Sequence, residues 1–208
     1  MISPENFYDE IKEKGATEIE KEIRSLKRTI NRLKDEIERP DSEPDMVCPS
    51  RETVLFWTRE YLTMAKKALA EAGWEYHETA QERRQRMFLE ELAGLRRMEF
   101  EIGGFFCGVE HHEIIVDGEH VHHAGIVDGE LLDTRDQLLK CLHGMHLEEW
   151  RKYYSPERYG MHILDGTHWE LKLEYENQKQ QKYSGSNVYP WNFRELCQMF
   201  DVEWSRPA

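Results

Sequence analysis

The residues His168-Trp169-Glu170-Leu171-Lys172-Leu173-Glu174-Tyr175 alternate strictly between polar and apolar side chains. Successive side chains of a strand point to opposite faces. This pattern therefore predicts a half-buried strand, with Trp169, Leu171, Leu173 and Tyr175 inward and His168, Glu170, Lys172 and Glu174 outward. Lys182-Tyr183-Ser184 is its expected hairpin partner. Upstream, Met98, Phe100 and Ile102 alternate with Glu99 and Glu101 as a second such strand, and Gly103-Gly104 is read as a bend or bulge that breaks it. The glycine pair lacks the spacing of a phosphate-binding loop.

Between these strands lies His111-His112-Glu113-Ile114-Ile115-Val116-Asp117-Gly118-Glu119-His120-Val121-His122-His123, which holds five of the ten histidines. Asp-Gly between β-branched residues predicts a two-residue hairpin loop. With Asp117-Gly118 as that loop, Glu113 faces His122 and Ile115 faces His120. His111, Glu113, His120 and His122 then share one face, while His112, Ile114, Val116, Val121 and His123 suit the core. Three imidazoles and a carboxylate on one face fit a divalent metal site, a pH-responsive patch or a polar surface. A helix is expected from Asp133-Thr134, carrying Leu138, Leu139, Cys141 and Leu142. Trp150, Tyr153 and Tyr154 are expected beneath the sheet. A last helix after Tyr189-Pro190 turns Phe193, Leu196, Cys197 and Phe200 inward. Ser184-Gly185-Ser186-Asn187 is read as the turn before Pro190. Antiparallel strands with segregated helices predict an α+β domain over residues 96–208.

Residues 1–95 read as a helical arm, with helices near 4–14, 18–38, 51–72 and 80–93. Ser3-Pro4 and Pro49-Ser50 are start signals, Thr17-Glu18-Ile19-Glu20 and Thr79-Ala80-Gln81-Glu82 are capping boxes, and Gly15 and Gly73 are stops. Ile19, Ile23, Leu26, Ile30, Leu33 and Ile37 form a heptad seam, with Ile23, Ile30 and Ile37 at a positions. Glu22 and Lys27 would pair across a parallel homodimer. The alternative is an antiparallel hairpin with the next helix, through Val54, Tyr61, Ala65, Ala68, Leu69 and Ala72, the break falling at residues 39–45. Arg83-Arg84-Gln85-Arg86 reads as a solvated helix face, and Met87, Phe88 and Leu92 as the inward side of that helix.

Composition narrows the function. Net charge is −13, and residues 98–208 carry 10 Lys/Arg against 20 Asp/Glu. Such a domain is a poor direct binder of nucleic acid and is attracted to basic partners. Hydrophobic content of 39% with 6 Trp, 9 Tyr and 8 Phe excludes a disordered chain. No run approaches the length of a membrane span, the start lacks a secretory pattern, and the 4 cysteines are scattered, which predicts reduced thiols in a cytoplasmic protein. Cys107 lies near His111 and His112, but a nucleophile needs a base placed in space, and a small buried Cys beside Phe106 is the expected role. No Gly-x-Ser-x-Gly elbow or His-Glu-x-x-His helix is present.

The segment Asp165-Gly166-Thr167-His168-Trp169, with Tyr183-Ser184-Gly185-Ser186-Asn187-Val188-Tyr189-Pro190-Trp191-Asn192-Phe193, resembles a module of small uncharacterised proteins of Firmicutes and their mobile elements. That resemblance implies no activity. As a class, a short acidic chain joining a helical arm to such a module resembles phage-encoded anti-defence inhibitors, anti-CRISPR proteins among them. It implies an inhibitor seated in the basic nucleic-acid groove of a host nuclease and assigns no residue roles. The sequence-level expectation is thus a non-enzymatic interaction protein, with Glu110, Glu119, Glu170 and Glu174 as its acidic contact residues. The alternative is a metal-binding domain or metal-dependent hydrolase at the histidine hairpin.

Overall fold

A computed structural model describes residues 2–40, 48–104, 108–163 and 165–204. The fold is α+β, and the chain divides into two compact units, Met1–Glu78 and Thr79–Ala208.

The first unit holds helices α1 (Pro4–Ile11), α2 (Ala16–Glu38) and α3 (Arg51–Glu71). The Ser3 hydroxyl accepts from the Asn6 N–H at 3.2 Å, and the Ser50 hydroxyl from the Thr53 N–H at 3.3 Å, so both caps form as the sequence predicts. Helix α2 starts two residues earlier than expected. Gly15, read as a stop, is its N-cap, and the Glu18 carboxylate accepts the Gly15 N–H at 3.4 Å. Ile19, Ile23 and Leu26 cluster with Ile11 of α1 and with Ala65, Ala68 and Leu69 of α3. The start of α2 therefore meets the end of α3, an antiparallel pairing. Ile30, Leu33 and Ile37 are also buried. The seam residues are thus buried in the single chain, the arrangement that the antiparallel-hairpin alternative expects. Lys27, expected to pair with Glu22 of a second copy, instead donates to the Tyr76 hydroxyl and lies over that ring. The inner stripe of α3 is Leu55, Thr58, Ala65, Ala68 and Leu69; Ala72 is exposed and Val54 half-buried. Residues 41–45 of the expected break lie outside the described residues.

The second unit begins with α4 (Ala80–Leu92), capped reciprocally by Thr79 and Glu82. Its Phe88 and Leu92 enter the core of the sheet, whereas Met87 is exposed. The Arg135 guanidinium donates to the Ala93 carbonyl, and the Glu176 N–H to Gly94 at 2.8 Å. These ties move the expected boundary from 95/96 to 78/79. An amphipathic stripe shows that a helix has a buried side but not which neighbour covers it.

The sheet is built from β1 (Leu95–Gly104), β2 (Gly108–Asp117), β3 (His120–His122), β6 (Tyr153–Tyr154), β7 (Thr167–Tyr175) and β8 (Gln180–Ser186), in the order β3-β2-β1-β7-β8-β6. β4 (Ile126–Val127) and β5 (Glu130–Leu131) form a separate small hairpin. All neighbours are antiparallel except β6, which runs parallel to β8; Tyr154 is buried, but Tyr153 projects outward rather than beneath the sheet. Helices α5 (Arg135–Gly144), capped by Thr134, and α6 (Phe193–Met199) complete the unit. Met98, Phe100, Ile102, Ile114, Val116, Trp169, Leu171, Leu173, Tyr175 and Tyr183 form the inner face, packed with Leu138, Leu142, Leu147, Phe193 and Leu196.

Two glycine expectations change. Gly103 and Gly104 do not break β1: they pair with Val109 and Gly108 on one side and His168 and Thr167 on the other. A Cβ on Gly103 would lie 2.1 Å from the Gly108 carbonyl oxygen, so close backbone approach explains the residue. The residues that follow, Phe105, Phe106 and Cys107, lie outside the described residues. Ser184, Gly185 and Ser186 continue β8 rather than forming a turn, and a Cβ on Gly185 would stand 2.4 Å from the Trp169 indole nitrogen.

Candidate functional site

One face of the sheet carries the core; the other carries polar side chains in register. Reading across strands, one row is His122, Ile115, Arg97, Glu174 and Gln180. The next is Glu113, Glu99, Lys172 and Lys182, and the third His111, Glu101, Glu170 and Ser184. Asp117 faces His120 at the hairpin end.

Ion pairs knit the centre. The Arg97 guanidinium reaches Glu113 at 2.7 Å and Glu99 at 2.9 Å, and the Glu113 hydrogen bond chiefly raises its pKa. Lys172 spans Glu174 at 2.5 Å and Glu99 at 3.2 Å, and its ammonium holds the Glu174 carboxyl below the usual carboxylate range. Lys182 meets Glu170 at 2.5 Å. On the β2 side the balance changes: Glu101 has His111 Nδ1 at 3.1 Å, and Asp117 has no cation among the described residues. The paired strand positions of the face thus set Glu99, Glu101, Glu113, Asp117, Glu170 and Glu174 against the permanent cations Arg97, Lys172 and Lys182, with Arg96 and Lys179 added where the concavity opens. A concavity of ≈ 760 Å³ opens at its hairpin end, lined by Arg97, Asp117, His122, Glu174 and Lys179 among others.

The expected acidic residues do not form one surface. Glu170 and Glu174 lie on this face, each held by a lysine; Glu119 sits in the hairpin loop, and Glu110 projects on the opposite side of β2, 3.3 Å from His112 Nε2. Glu99, Glu101, Glu113 and Asp117 take their place.

The hairpin ligands also separate. Observed register pairs Asp117 with His120, Val116 with Val121 and Ile115 with His122, so the loop is Gly118-Glu119 rather than Asp117-Gly118. Gly118 has φ 59 while Asp117 stays extended, the glycine-first arrangement of a type II′ loop. His111, Glu113, His120 and His122 keep their common face, but the slip moves His122 away from Glu113. His111 and the row of His122 are four residues apart along β2, about 13 Å at strand rise. Glu113 is engaged by Arg97 instead, and these four do not converge on a metal-sized site. His123, expected in the core, is exposed at φ 66.

Among the described residues, one group does bring metal-ligand atoms together: His146, Glu148 and Glu149, within 4.8 Å of one another. Sequence reasoning missed it for a geometric reason. Offsets of zero, two and three share a face in neither a helix nor a strand. They meet here because His146 adopts φ 51, ψ 44 after α5 and a 3-10 turn spans Leu147–Glu149.

Cys48, Cys141 and Cys197 are free thiols. Burial pushes the Cys141 thiol up to about 11 and that of Cys197 to about 12. The thiolate is the reactive form, so a thiol reagent at about pH 8 is expected to label exposed Cys48 first and spare Cys141 and Cys197 until denaturant is added. Peptide mapping checks this; native labelling of Cys197 as fast as Cys48 would overturn it. Cys107 lies outside the described residues. No helix among the described residues is long and apolar enough to cross a membrane. No protein-family model, curated protein or solved structure matches this chain.

Proposed function

We propose that the chain is a non-enzymatic interaction protein whose second unit binds a basic protein through the open face of its sheet. In the sharpest form of this reading it inhibits a nucleic-acid-handling enzyme, such as a CRISPR effector nuclease, by occupying the groove that holds phosphates. The observation that supports it is the surplus of carboxylates on one solvent-facing layer: Glu101 and Asp117 add charge beyond the ion-paired centre. Strand pairing fixes the backbone spacing of these groups. Fixed charge of one sign steers a partner of the other and raises its association rate.

The test is capture of the partner on immobilised protein, followed by affinity measurement with the identified protein. Affinity is expected to fall at least roughly tenfold between about 50 and 300 mM salt, because exposed charges are screened within a Debye length. Glu101→Gln combined with Asp117→Asn is expected to weaken binding and flatten the salt dependence, and nucleic acid is expected to compete. Binding indifferent both to salt and to this double substitution would refute the reading.

A further inference from the structure

The turn after α5 carries a group that the acidic-face reading does not use. Glu148 is its informative member. Its side chain is only 6% exposed, its Oε1 lies 3.1 Å from His146 Nδ1, and its Oε2 is buried with no hydrogen-bond partner among the described residues. A buried carboxylate oxygen without a donor is costly, and a cation is its natural complement. Among the described residues the side-chain partner of Glu148 is the His146 imidazole, not a lysine or arginine.

We propose that His146, Glu148 and Glu149 bind a divalent transition metal ion, of which zinc is the type. One imidazole nitrogen and two carboxylates supply three ligands and two negative charges, leaving coordination positions for water or a further ligand. The nitrogen donor separates this set from calcium sites, which collect six to eight oxygens, and from magnesium sites, which rely on carboxylates and water. The spacing also suits zinc. Bonds of about 2.0–2.1 Å at a tetrahedral angle place neighbouring donors about 3.3 Å apart, close to the observed Nδ1–Oε1 contact. A metal ion would replace that contact with little movement, and the Glu149 carboxylate would exchange its present interaction for the ion.

The backbone of the turn is fixed from several directions. The Met145 carbonyl accepts from Asn192 Nδ2 at 2.6 Å, and the Leu147 carbonyl from the Tyr183 hydroxyl at 3.1 Å. Trp150 Nε1 donates to Asn192 Oδ1 at 3.0 Å. These bonds tie the residues flanking His146 and following Glu149 to α6 and β8, so the site stands on a rigid support. His146 is partly exposed, which leaves a path for the ion.

The experiment uses the full chain, stripped with a chelator, dialysed and titrated with Zn²⁺ by calorimetry and with Co²⁺ by visible absorption. One tight equivalent is expected, with a Co²⁺ spectrum of mixed nitrogen and oxygen ligation. Glu148→Gln preserves shape, and His146→Asn preserves a residue that tolerates left-handed backbone. Each is expected to weaken Zn²⁺ at least roughly tenfold while circular dichroism stays native, whereas His120→Ala with His122→Ala leaves the equivalent in place. Absence of a stoichiometric equivalent, affinity unchanged in both single variants, or loss confined to the hairpin double variant would each overturn the proposal.

Discussion

Replacing Asn192 with alanine is expected to destabilise the second unit by about 2–4 kcal/mol and to lower its melting temperature by about 10 °C. Asn192 is a buried polar residue whose amide is used at both ends, accepting from Trp150 Nε1 at 3.0 Å and donating to the Met145 carbonyl at 2.6 Å. Truncation leaves an indole N–H and a carbonyl buried without partners, each costing about 1–3 kcal/mol. Trp150 also stands edge-on to Tyr154, Trp169 and Tyr183, with ring centroids 5.7 to 6.4 Å away. Freeing its nitrogen therefore disturbs the aromatic centre of the core. Asn192→Asp is the control: it can still accept from the indole but presents a carboxylate oxygen to a carbonyl, and it is expected to be no better than alanine. Chemical denaturation followed by tryptophan fluorescence measures both. A loss below about 0.5 kcal/mol for the alanine variant would show that the two bonds contribute little beyond what water supplies.

Elements with one dominant signal were legible in the sequence. Residues 168–175 alternate without exception, and Trp169, Leu171, Leu173 and Tyr175 are all buried. Leu171 pairs with Tyr183 and Lys172 with Lys182, as the expected hairpin requires. The hairpin at His111 was legible as a hairpin but not in its register. Asp-Gly and Gly-Glu are both acceptable loops; moving the loop by one residue shifts the strand pairing by two and so leaves the same side chains on the same face. That slip disperses a metal site that parity alone allowed. The open face was half legible: Glu170 and Glu174 come from one strand's alternation, but Glu99, Glu101 and Glu113 join them only when β1 is seated between β2 and β7. The His146 cluster depends on a left-handed residue followed by a 3-10 turn, a conformation that no periodicity announces. Gly103 and Gly185 hint at close approach in any strand, yet only the pairing shows what approaches.

Ile23→Asp is expected to abolish the cooperative unfolding of the first unit, a loss of at least about 4 kcal/mol. Ile23 is 1% exposed in the middle of α2, in the cluster shared with Ile11 of α1 and Ala65, Ala68 and Leu69 of α3. A carboxylate there is placed in an apolar cluster drawn from three helices, where it must either stay ionised at a desolvation cost or take up a proton. Ile23→Ala removes volume without charge and is expected to cost about 2–4 kcal/mol, which separates the cavity from the charge. The same position discriminates between the two assemblies that the heptad spacing permits. If α1 and α3 supply the covering surface, the wild-type midpoint is independent of protein concentration across a roughly hundredfold range. A parallel dimer through Ile23, Ile30 and Ile37 would instead raise the midpoint with concentration by mass action. Thermal melts by far-ultraviolet circular dichroism at both extremes make the comparison. A concentration-dependent midpoint that Ile23→Asp eliminates would return the seam to a second copy; a constant midpoint with a strongly destabilised variant assigns it to the chain's own hairpin. The heptad is then an intramolecular device, and α2 has used its apolar stripe before any partner arrives.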